Sequence, residues 1–552
     1  MKVLLCAINT KYIHSSLAPW CLFGALKESS FDGQCSVVEG TINEDKKEII
    51  RRIMEHEFDL IGFSAYIWNI SYVKELAREI KERTGAKILF GGPEVSYNPS
   101  EVMKESYFID YVISGEGEEP IVKLCNGEDP KSIEGLCYRI GGEVAVKEPY
   151  VSNKEPPSPY VKEYLEQLSG RIAYIESSRG CPFRCAFCLS GRCGGVRFFS
   201  LEATKEKIIL LANSGTQTVK FIDRTFNADR KRAREIFEFI ISEYGKNVPG
   251  SVCFHFEIEG ELIDDETVEV LKKAPKGLFQ FEIGLQSYNK ETLLGINRST
   301  DLDLLEKNIR KILSLGNIHV HIDLIAGLPY ESYESFKKSF NRAYSLSPHM
   351  LQLGFLKLLH GSDLREKGEL LPCEYSKNAP YEVISTKWIT KNELKKLHLV
   401  EDVFEKMYNS GRFSLTCEYL TGLFDSPFSA FEALTEYIML HPIENTLDAF
   451  SRAIYDCFTG YQAVNSAVLR DKMAIDRLST NRMGALPYFL KVKSPEIKRI
   501  LNELDKCETT KRKVGVKRSA TVLLSENKLV YVDYTEPDKI NNKFQINTIN
   551  LD

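Results

Sequence analysis

Three cysteines stand close together in Ser178-Arg179-Gly180-Cys181-Pro182-Phe183-Arg184-Cys185-Ala186-Phe187-Cys188. Cysteine thiolates are soft ligands and suit zinc or an iron–sulfur cluster. Offsets of four and three would put the sulfurs on one helical face, but Gly180 and Pro182 favour a loop that curls around something. A structural zinc site needs a fourth ligand, usually from a second close pair. No second pair exists, although Cys193, five residues beyond Cys188, could complete such a site. Three thiolates instead suit a four-iron cluster with one iron left open, able to chelate the amino and carboxylate groups of a bound molecule. Chance burial of three core cysteines fits poorly with Arg179, Gly180, Pro182 and Arg184 as neighbours.

The elements that must position this loop follow from the apolar pattern. From Arg171 to about Lys357, apolar runs at Ile172–Glu176, Thr218–Ile222, Val252–Ile258, Phe279–Leu285, Val320–Ile325 and Leu351–Lys357 alternate with helical stretches. Six such units in one run predict a partial barrel, with the cysteines directly after its first strand. Ahead of it, residues 1–125 alternate runs at Val3–Ile8, Ser36–Glu39, Leu60–Ala65, Lys87–Gly92 and Tyr111–Gly115 with helices such as Tyr72–Arg83. That pattern predicts a doubly wound, flavodoxin-like α/β domain whose ligands sit beyond the carboxyl ends of its strands. A hairpin over Leu136–Ile140 and Val144–Lys147, turning at Gly141-Gly142, completes a first domain of residues 1–150. The prolines of Glu155-Pro156-Pro157-Ser158-Pro159 mark a linker over 151–170. The barrel is assigned 171–360, and a mostly helical domain 361–552. Within the last, Pro427 opens a helix with Phe428, Phe431 and Leu434 on one face, and strands Ala520–Leu524 and Leu529–Asp533 come late.

Composition bounds the rest. With 552 residues, 43% hydrophobic and 27% charged, the chain reads as globular and of about three domains. A net charge of −5 gives no reason to expect a nucleic-acid or anionic-membrane partner. No apolar run reaches the roughly 18 residues of a membrane span. The start, Val3–Ile8, reads as a buried strand rather than a secretory signal, which implies a cytoplasmic protein. There most of the fourteen cysteines stay reduced, and isolated ones such as Cys6, Cys21, Cys35 and Cys253 read as small core residues. The basic stretch Lys511-Arg512-Lys513 to Lys517-Arg518 reads as a solvated loop.

The Cys-x-x-x-Cys-x-x-Cys loop after the first strand, with aromatic Phe187 before the third cysteine, resembles the signature of radical S-adenosylmethionine (SAM) enzymes. Further likenesses come in order: Lys220 to Asn227 resembles the family's second strand end, Phe281 to Ser287 its fourth strand, Asn297-Arg298 the following helix start, and Asp323 to Pro329 its fifth strand and turn. The resemblance implies a [4Fe-4S] cluster on Cys181, Cys185 and Cys188 that reduces SAM and starts radical chemistry. It also implies a flavodoxin- or ferredoxin-type electron donor and an anaerobic setting. Around SAM it places Phe187, Asp223, Glu257, Glu282, Gln286, Arg298 and Gly327, with Glu257 and Glu282 toward the ribose or amino group and Arg298 toward the carboxylate.

The first domain resembles the cobalamin-binding domain of the cobalamin-dependent subclass, so the resemblance covers about residues 1–360. It implies cobalamin contacts from Asn9, Tyr12 and His14 after the first strand, Ser64, Tyr66 and Trp68 after the third, Gly91, Gly92, Pro93 and Glu94 after the fourth, and Gly115, Glu116, Gly117 and Glu118 after the fifth. Many cobalamin proteins carry an Asp-x-His-x-x-Gly loop after the first strand; here the loop runs Asn9 to Ser16 without that motif, which implies cobalamin without histidine ligation. The region after residue 360 resembles an uncharacterised C-terminal domain of some of these proteins, where Tyr375, Tyr381 and Trp388 could shape a pocket. The leading expectation is methyl transfer from methylcobalamin to an unactivated centre of an unknown substrate. A non-methylating rearrangement or cyclisation, and a non-catalytic zinc or cobalamin sensor, remain open.

Overall fold

The computed structural model describes residues 1–480, 486–492, 498–499, 502, 520–523 and 525–550. The basic stretch Lys511 to Arg518 lies outside the described residues. The chain divides into two compact units. The first comprises Met1–Glu282, Leu293–Asn308 and Phe355–Lys387; the second comprises Ile283–Thr292, Ile309–Gly354 and Trp388–Asp552.

In the first unit, the N-terminal elements are β1 (Lys2–Asn9), α1 (Ala18–Glu28), β2 (Gln34–Thr41), α2 (Lys46–Met54), β3 (Leu60–Ser64), α3 (Ile70–Thr84), β4 (Lys87–Gly91), α4 (Pro93–Ser96), α5 (Pro99–Glu105), β5 (Tyr111–Ile113), α6 (Glu118–Cys125), β6 (Leu136–Ile140) and β7 (Glu143–Ala145). The sheet order is β2-β1-β3-β4-β5-β6-β7, parallel through β5 and antiparallel after it. Successive strand residues point to opposite faces, so β1 feeds two cores. Leu4, Cys6 and Ile8 pack with Ile49, Ile53, Val73, Leu76 and Ile80 on one side. Val3 and Leu5 pack with Leu26, Leu60, Leu89, Ile121 and Leu124 on the other. Each fully buried aliphatic side chain contributes about 1.5–3 kcal/mol. The strand order reverses between β1 and β3, the place where open α/β sheets receive ligands.

The chain continues through α7 (Lys162–Leu165), β8 (Ile172–Ile175), β9 (Ser178–Gly180), β10 (Val196–Phe198), α8 (Leu201–Ala212), β11 (Thr218–Phe221), α9 (Arg230–Glu243), β12 (Cys253–Ile258), α10 (Asp265–Leu271) and β13 (Phe279–Gln286), which starts in the first unit and ends in the second. β8, β11 and β12 pair in parallel. Their helices start where side chains cap them: Ser200 accepts from the Ala203 amide, Asp229 from Arg232 and Asp264 from Thr267. Strand alternation sends Phe221, Phe254, Phe256, Phe279 and Phe281 into a fully buried layer and leaves Lys220, His255, Glu257 and Glu282 on the other side. The β9–β10 ladder, which the apolar pattern does not announce, closes the base of the cysteine loop by pairing Gly180 with Val196 and Arg179 with Arg197.

Next come α11 (Lys290–Gly295), α12 (Leu302–Leu315), β14 (His319–Ala326), α13 (Tyr333–Tyr344), β15 (Met350–Phe355), α14 (Asp363–Glu366), β16 (Cys373–Tyr375) and β17 (Val383–Thr386). Six strands, β8 and β11–β15, thus alternate with helices along the chain. The segment Phe355–Lys387, expected as the end of the barrel up to residue 360 and the opening of a C-terminal domain from 361, groups with the first unit.

The second unit closes with α15 (Lys391–Phe404), α16 (Ser414–Thr421), α17 (Pro427–Leu440), α18 (Leu447–Phe458), α19 (Ser466–Thr480) and a three-stranded sheet of β18 (Ala520–Leu523), β19 (Lys528–Asp533) and β20 (Gln545–Asn550). Phe340, Phe404, Phe428 and Phe431 form its aromatic core. The helical expectation is met, and the late strand pair gains a third member in β20. No described helix is long and apolar enough to cross a membrane.

Candidate functional site

The cysteine loop is held on both sides. The Ala186 amide donates to the Ile296 carbonyl at 2.8 Å, and the Asn297 side-chain amide donates to the Arg184 carbonyl at 2.8 Å. Just ahead of the loop, Asp223 is buried and accepts from the Ser177 amide at 3.0 Å, the Ser177 hydroxyl at 2.7 Å and the Ser178 hydroxyl at 2.6 Å. Burial pushes its carboxyl up, against the pull of those donors. Asp223 was expected among the SAM contacts; it anchors the approach to the loop, because its oxygens are taken by Ser177 and Ser178.

Each of the three sulfurs has a polar neighbour of a different kind. The Thr225 hydroxyl lies 3.3 Å from Cys181 Sγ, Arg298 Nη1 3.8 Å from Cys185 Sγ, and the Ser190 amide donates to Cys188 Sγ at 3.4 Å. Burial pushes the Cys185 thiol up, while the Arg298 guanidinium pulls the other way. Phe187 is half-buried between Ala186 and Cys188. Arg298, expected to meet a carboxylate of SAM, already holds one of the protein's own: its Nη2 lies 2.7 Å from Glu259 Oε2. Asn297-Arg298, expected at a helix start, lies in the loop between α11 and α12. Glu259 was missed from sequence, since nothing marks a carboxylate one residue beyond a strand as a partner for a loop arginine thirty-nine residues later.

Glu257 and Glu282 share the Lys220 ammonium. Lys220 Nζ lies 3.2 Å from Glu282 and 3.8 Å from Glu257; Arg224 lies 3.9 Å from Glu257, and His255 Nε2 2.8 Å from Glu282. Gln286 and Gly327 belong to the second unit. Both hold left-handed backbone, Gln286 with φ 67° and Gly327 with φ 86°.

A cavity of about 630 Å³ opens in the first unit. The first sheet lines it with Asn9, His14, Ser64, Tyr66, Trp68, Gly91, Gly92, Gly115, Glu116, Gly117 and Glu118, over an apolar floor that includes Leu5, Phe90 and Ile113. Tyr174, Glu176, Arg179, Ile222, Arg224 and Glu257, from β8, β11, β12 and the segments after them, line it too. Tyr66 and Trp68 stack 4.4 Å apart and 5° from parallel, a flat apolar face for a planar ligand.

Three of the residues expected at cobalamin do not line this cavity. Tyr12 is exposed under the Arg171 guanidinium. Pro93 starts α4, and the next residue, Glu94, turns away to accept from the Tyr381 hydroxyl at 2.8 Å. Others line it while serving the scaffold. Asn9 accepts from Ser16 and donates to Glu39, whose carboxylate also meets buried Arg171 and Trp20. His14 holds the Tyr174 hydroxyl at 2.8 Å through Nδ1, and burial lowers its pKa. Glu116 and Glu118 close on Arg179 at 2.8 and 2.5 Å, beside Glu176 at 3.0 Å, and Arg197 joins Glu116. Burial opposes ionisation of Glu118, yet Arg179 outweighs it and holds the carboxyl below its ordinary value; at Glu176 burial wins and raises it. Gly92 and Gly115, with φ 110° and 88°, are required by their own surroundings. A Cβ would lie 2.5 Å from the Ala65 carbonyl oxygen at Gly92 and 2.2 Å from that of Tyr150 at Gly115.

The scattered cysteines behave as expected where buried. Cys6 and Cys21 are core residues, with the Cys6 thiol pushed up to about 12 by burial; Cys35 and Cys253 are half-buried.

A thiolate loop beside a doubly wound sheet with an open ligand edge defines a cofactor-dependent α/β protein. Three family models match in succession: the B12 binding domain over residues 3–124, the Radical SAM superfamily over 175–343, and a protein of unknown function (DUF4080) over 372–543. The chain thus carries a B12 binding domain followed by a radical SAM domain, the pairing found in cobalamin-dependent radical SAM enzymes, and cobalamin and SAM are the cofactors these matched domains specify.

Among relatives, it is 27% identical over 331 residues to 2-(S-pantetheinyl)-carbapenam-3-carboxylate methyltransferase of Streptantibioticus cattleyicolor, covering 53% of this chain and 45% of the relative. It is 24% identical over 400 residues to the anaerobic magnesium-protoporphyrin IX monomethyl ester cyclase of Cereibacter sphaeroides, covering 68% and 64%. The chain thus spans less than two thirds of either relative's length. Among solved structures, the cobalamin-dependent S-adenosylmethionine radical enzyme OxsB, with aqua-cobalamin and SAM bound, shares the fold with TM-score 0.59 at 14% identity, over 93% of this chain and 81% of that one.

Proposed function

We propose that the chain is a cobalamin-dependent radical SAM methyltransferase acting on a carbon or phosphorus centre that lacks an acidic proton. The carrying observation is the cavity that β1, β3, β4 and β5 share with residues from the strands flanking the cysteine loop. The residues present fit the cofactors. Cys181, Cys185 and Cys188 offer three sulfurs for a [4Fe-4S] cluster, each with one polar group beside it. For the corrin, the fit rests on the stacked face of Tyr66 and Trp68 and the open edge at Gly91.

When bound, cluster and SAM supply one-electron activation of an inert bond, and cobalamin supplies the methyl group. The chain's own residues position these groups. Asp223 fixes the entry to the cysteine loop, Ile296 and Asn297 fix its far side, and the Arg179 ion pairs join that loop to Glu116 and Glu118 of the first sheet's edge. Glu257 and Arg224 give the cavity a polar wall for substrate or SAM. A low-potential donor of the flavodoxin or ferredoxin type, a cytoplasmic location and an oxygen-free environment complete this reading.

The family's likeness to both a methyltransferase and a cyclase makes product mass the deciding measurement. The anaerobically reconstituted chain, given SAM, methylcobalamin, reductant and fractionated cell extract, is expected to yield a product heavier by one methylene. A product of unchanged or oxidised mass overturns methyl transfer; tetrahedral zinc without iron at the loop overturns the whole assignment.

A further inference from the structure

Arg298 and Glu259 form a closed arrangement against one cysteine. The Arg298 side chain is 11% exposed and that of Glu259 8%. Arg298 Nε lies 3.2 Å from Thr300 Oγ1, Nη2 2.7 Å from Glu259 Oε2, and Nη1 3.8 Å from Cys185 Sγ. Glu259 is fixed through its backbone: its amide donates to Asn227 Oδ1 at 2.8 Å and its carbonyl accepts from Asn227 Nδ2 at 2.9 Å. Its second oxygen, Oε1, is buried without a hydrogen-bond partner among the described residues. A buried carboxylate left with one unsatisfied oxygen is costly, and the cation at its other oxygen offsets that cost. The guanidinium fork is planar and rigid, so fixing one arm on Glu259 fixes the direction of the other.

The three sulfurs are therefore not equivalent. Cys181 has a hydroxyl beside it, Cys188 a backbone amide, and Cys185 a full positive charge. Charge-assisted donors are roughly twice as strong as neutral ones. Hydrogen bonds to cluster sulfurs and local net charge both set reduction potential.

We propose that the Glu259–Arg298 pair sets the reduction potential of the cluster through Cys185, with Arg298 as the donor and Glu259 as the positioning residue that aims it and offsets its charge. This rests on the cluster assignment above. A cation beside the cluster favours the more negative, reduced state, so removing it makes reduction harder, whereas neutralising Glu259 while keeping Arg298 leaves the cation uncompensated and makes reduction easier.

The test is potentiometric titration of the full-length, anaerobically reconstituted chain, followed by electron paramagnetic resonance, with iron content measured on each sample. Arg298→Ala is expected to move the midpoint to more negative potential, Glu259→Gln to more positive potential, and Thr225→Val to move it less than Arg298→Ala. Arg298→Lys, which keeps the charge and loses the fork, is expected between wild type and Arg298→Ala, and serves if the alanine variant fails to fold. A purely structural pair would not give shifts of opposite sign. Midpoints for the Arg298 and Glu259 variants that coincide with wild type at full iron content, or that shift in the same direction, overturn the proposal while leaving the cluster standing. A wild-type chain that takes up no iron overturns both.

Discussion

The cysteine loop and the open edge of the first sheet belong to one unit, yet they spend their polar groups differently. Around the cysteines, a guanidinium and a backbone amide donate to Cys185 and Cys188, and a hydroxyl stands beside Cys181. At the sheet edge the carboxylates are already committed: Glu116 and Glu118 to Arg179, Glu94 to Tyr381. In the proposed reading the loop holds the cluster, and the edge meets the corrin through its apolar floor, its glycines and the Tyr66–Trp68 stack, while its charges fasten it to the loop. A polar residue at a predicted ligand edge serves the ligand only if the scaffold does not claim it first.

The sharpest contrast comes from removing one sulfur. Cys185→Ala is expected to abolish the reduced-cluster electron paramagnetic resonance signal and 5′-deoxyadenosine formation, while corrinoid binding, measured by visible absorbance after desalting, persists. Loss of both together would erase the distinction between the two regions.

Arg179→Met comes next. It leaves Glu116, Glu118 and Glu176 facing one another without their shared cation, and breaking a buried pair on one side costs about 3–5 kcal/mol. Urea unfolding of the full chain measures it. Glu118 also carries a pH signature. Its folded-state pKa is depressed, so its contribution is fully present above the ordinary glutamate range and is lost as pH falls through the lower folded value. Glu176, raised by burial, works in the opposite direction. The Arg179→Met chain should lose the Glu118 part of the acid dependence; an unchanged acid profile would show that the pairing is not what depresses Glu118.

What the sequence made legible follows from the same contrast. Three thiols at offsets of four and three carry their chemistry locally, so their spacing could be read directly. The alternation of short apolar runs with helical stretches likewise announced β1 to β5 and β8 with β11 to β15, because burial on both faces leaves continuous apolar strands. The β9–β10 ladder was not legible, since Ser178–Gly180 is polar and glycine-ended, Val196–Phe198 is only three residues long, and the two pair only because the loop between them folds back. Nor were Glu259 as the partner of Arg298, or the turning of Glu94 toward Tyr381. These depend on residues 39 and 287 positions apart meeting in space, which neither period nor composition encodes.

Two adjacent glycines test the edge most finely, and with the smallest effects. At Gly92 the backbone has φ 110° and an added Cβ would lie 2.5 Å from the Ala65 carbonyl oxygen. Gly92→Ala should therefore cost about 1–3 kcal/mol of stability through strain alone. At Gly91 the nearest atom to an added Cβ is the Ile113 carbonyl oxygen, 3.9 Å away, and the residue lines the cavity. Gly91→Ala should leave the unfolding midpoint within about 0.5 kcal/mol of wild type but weaken corrinoid binding, read by absorbance titration, because a methyl group then stands where the ligand must approach. If Gly91→Ala binds corrinoid as tightly as wild type, the ligand does not sit over β4, and the edge would have to be assigned to the β1 and β5 side of the cavity instead.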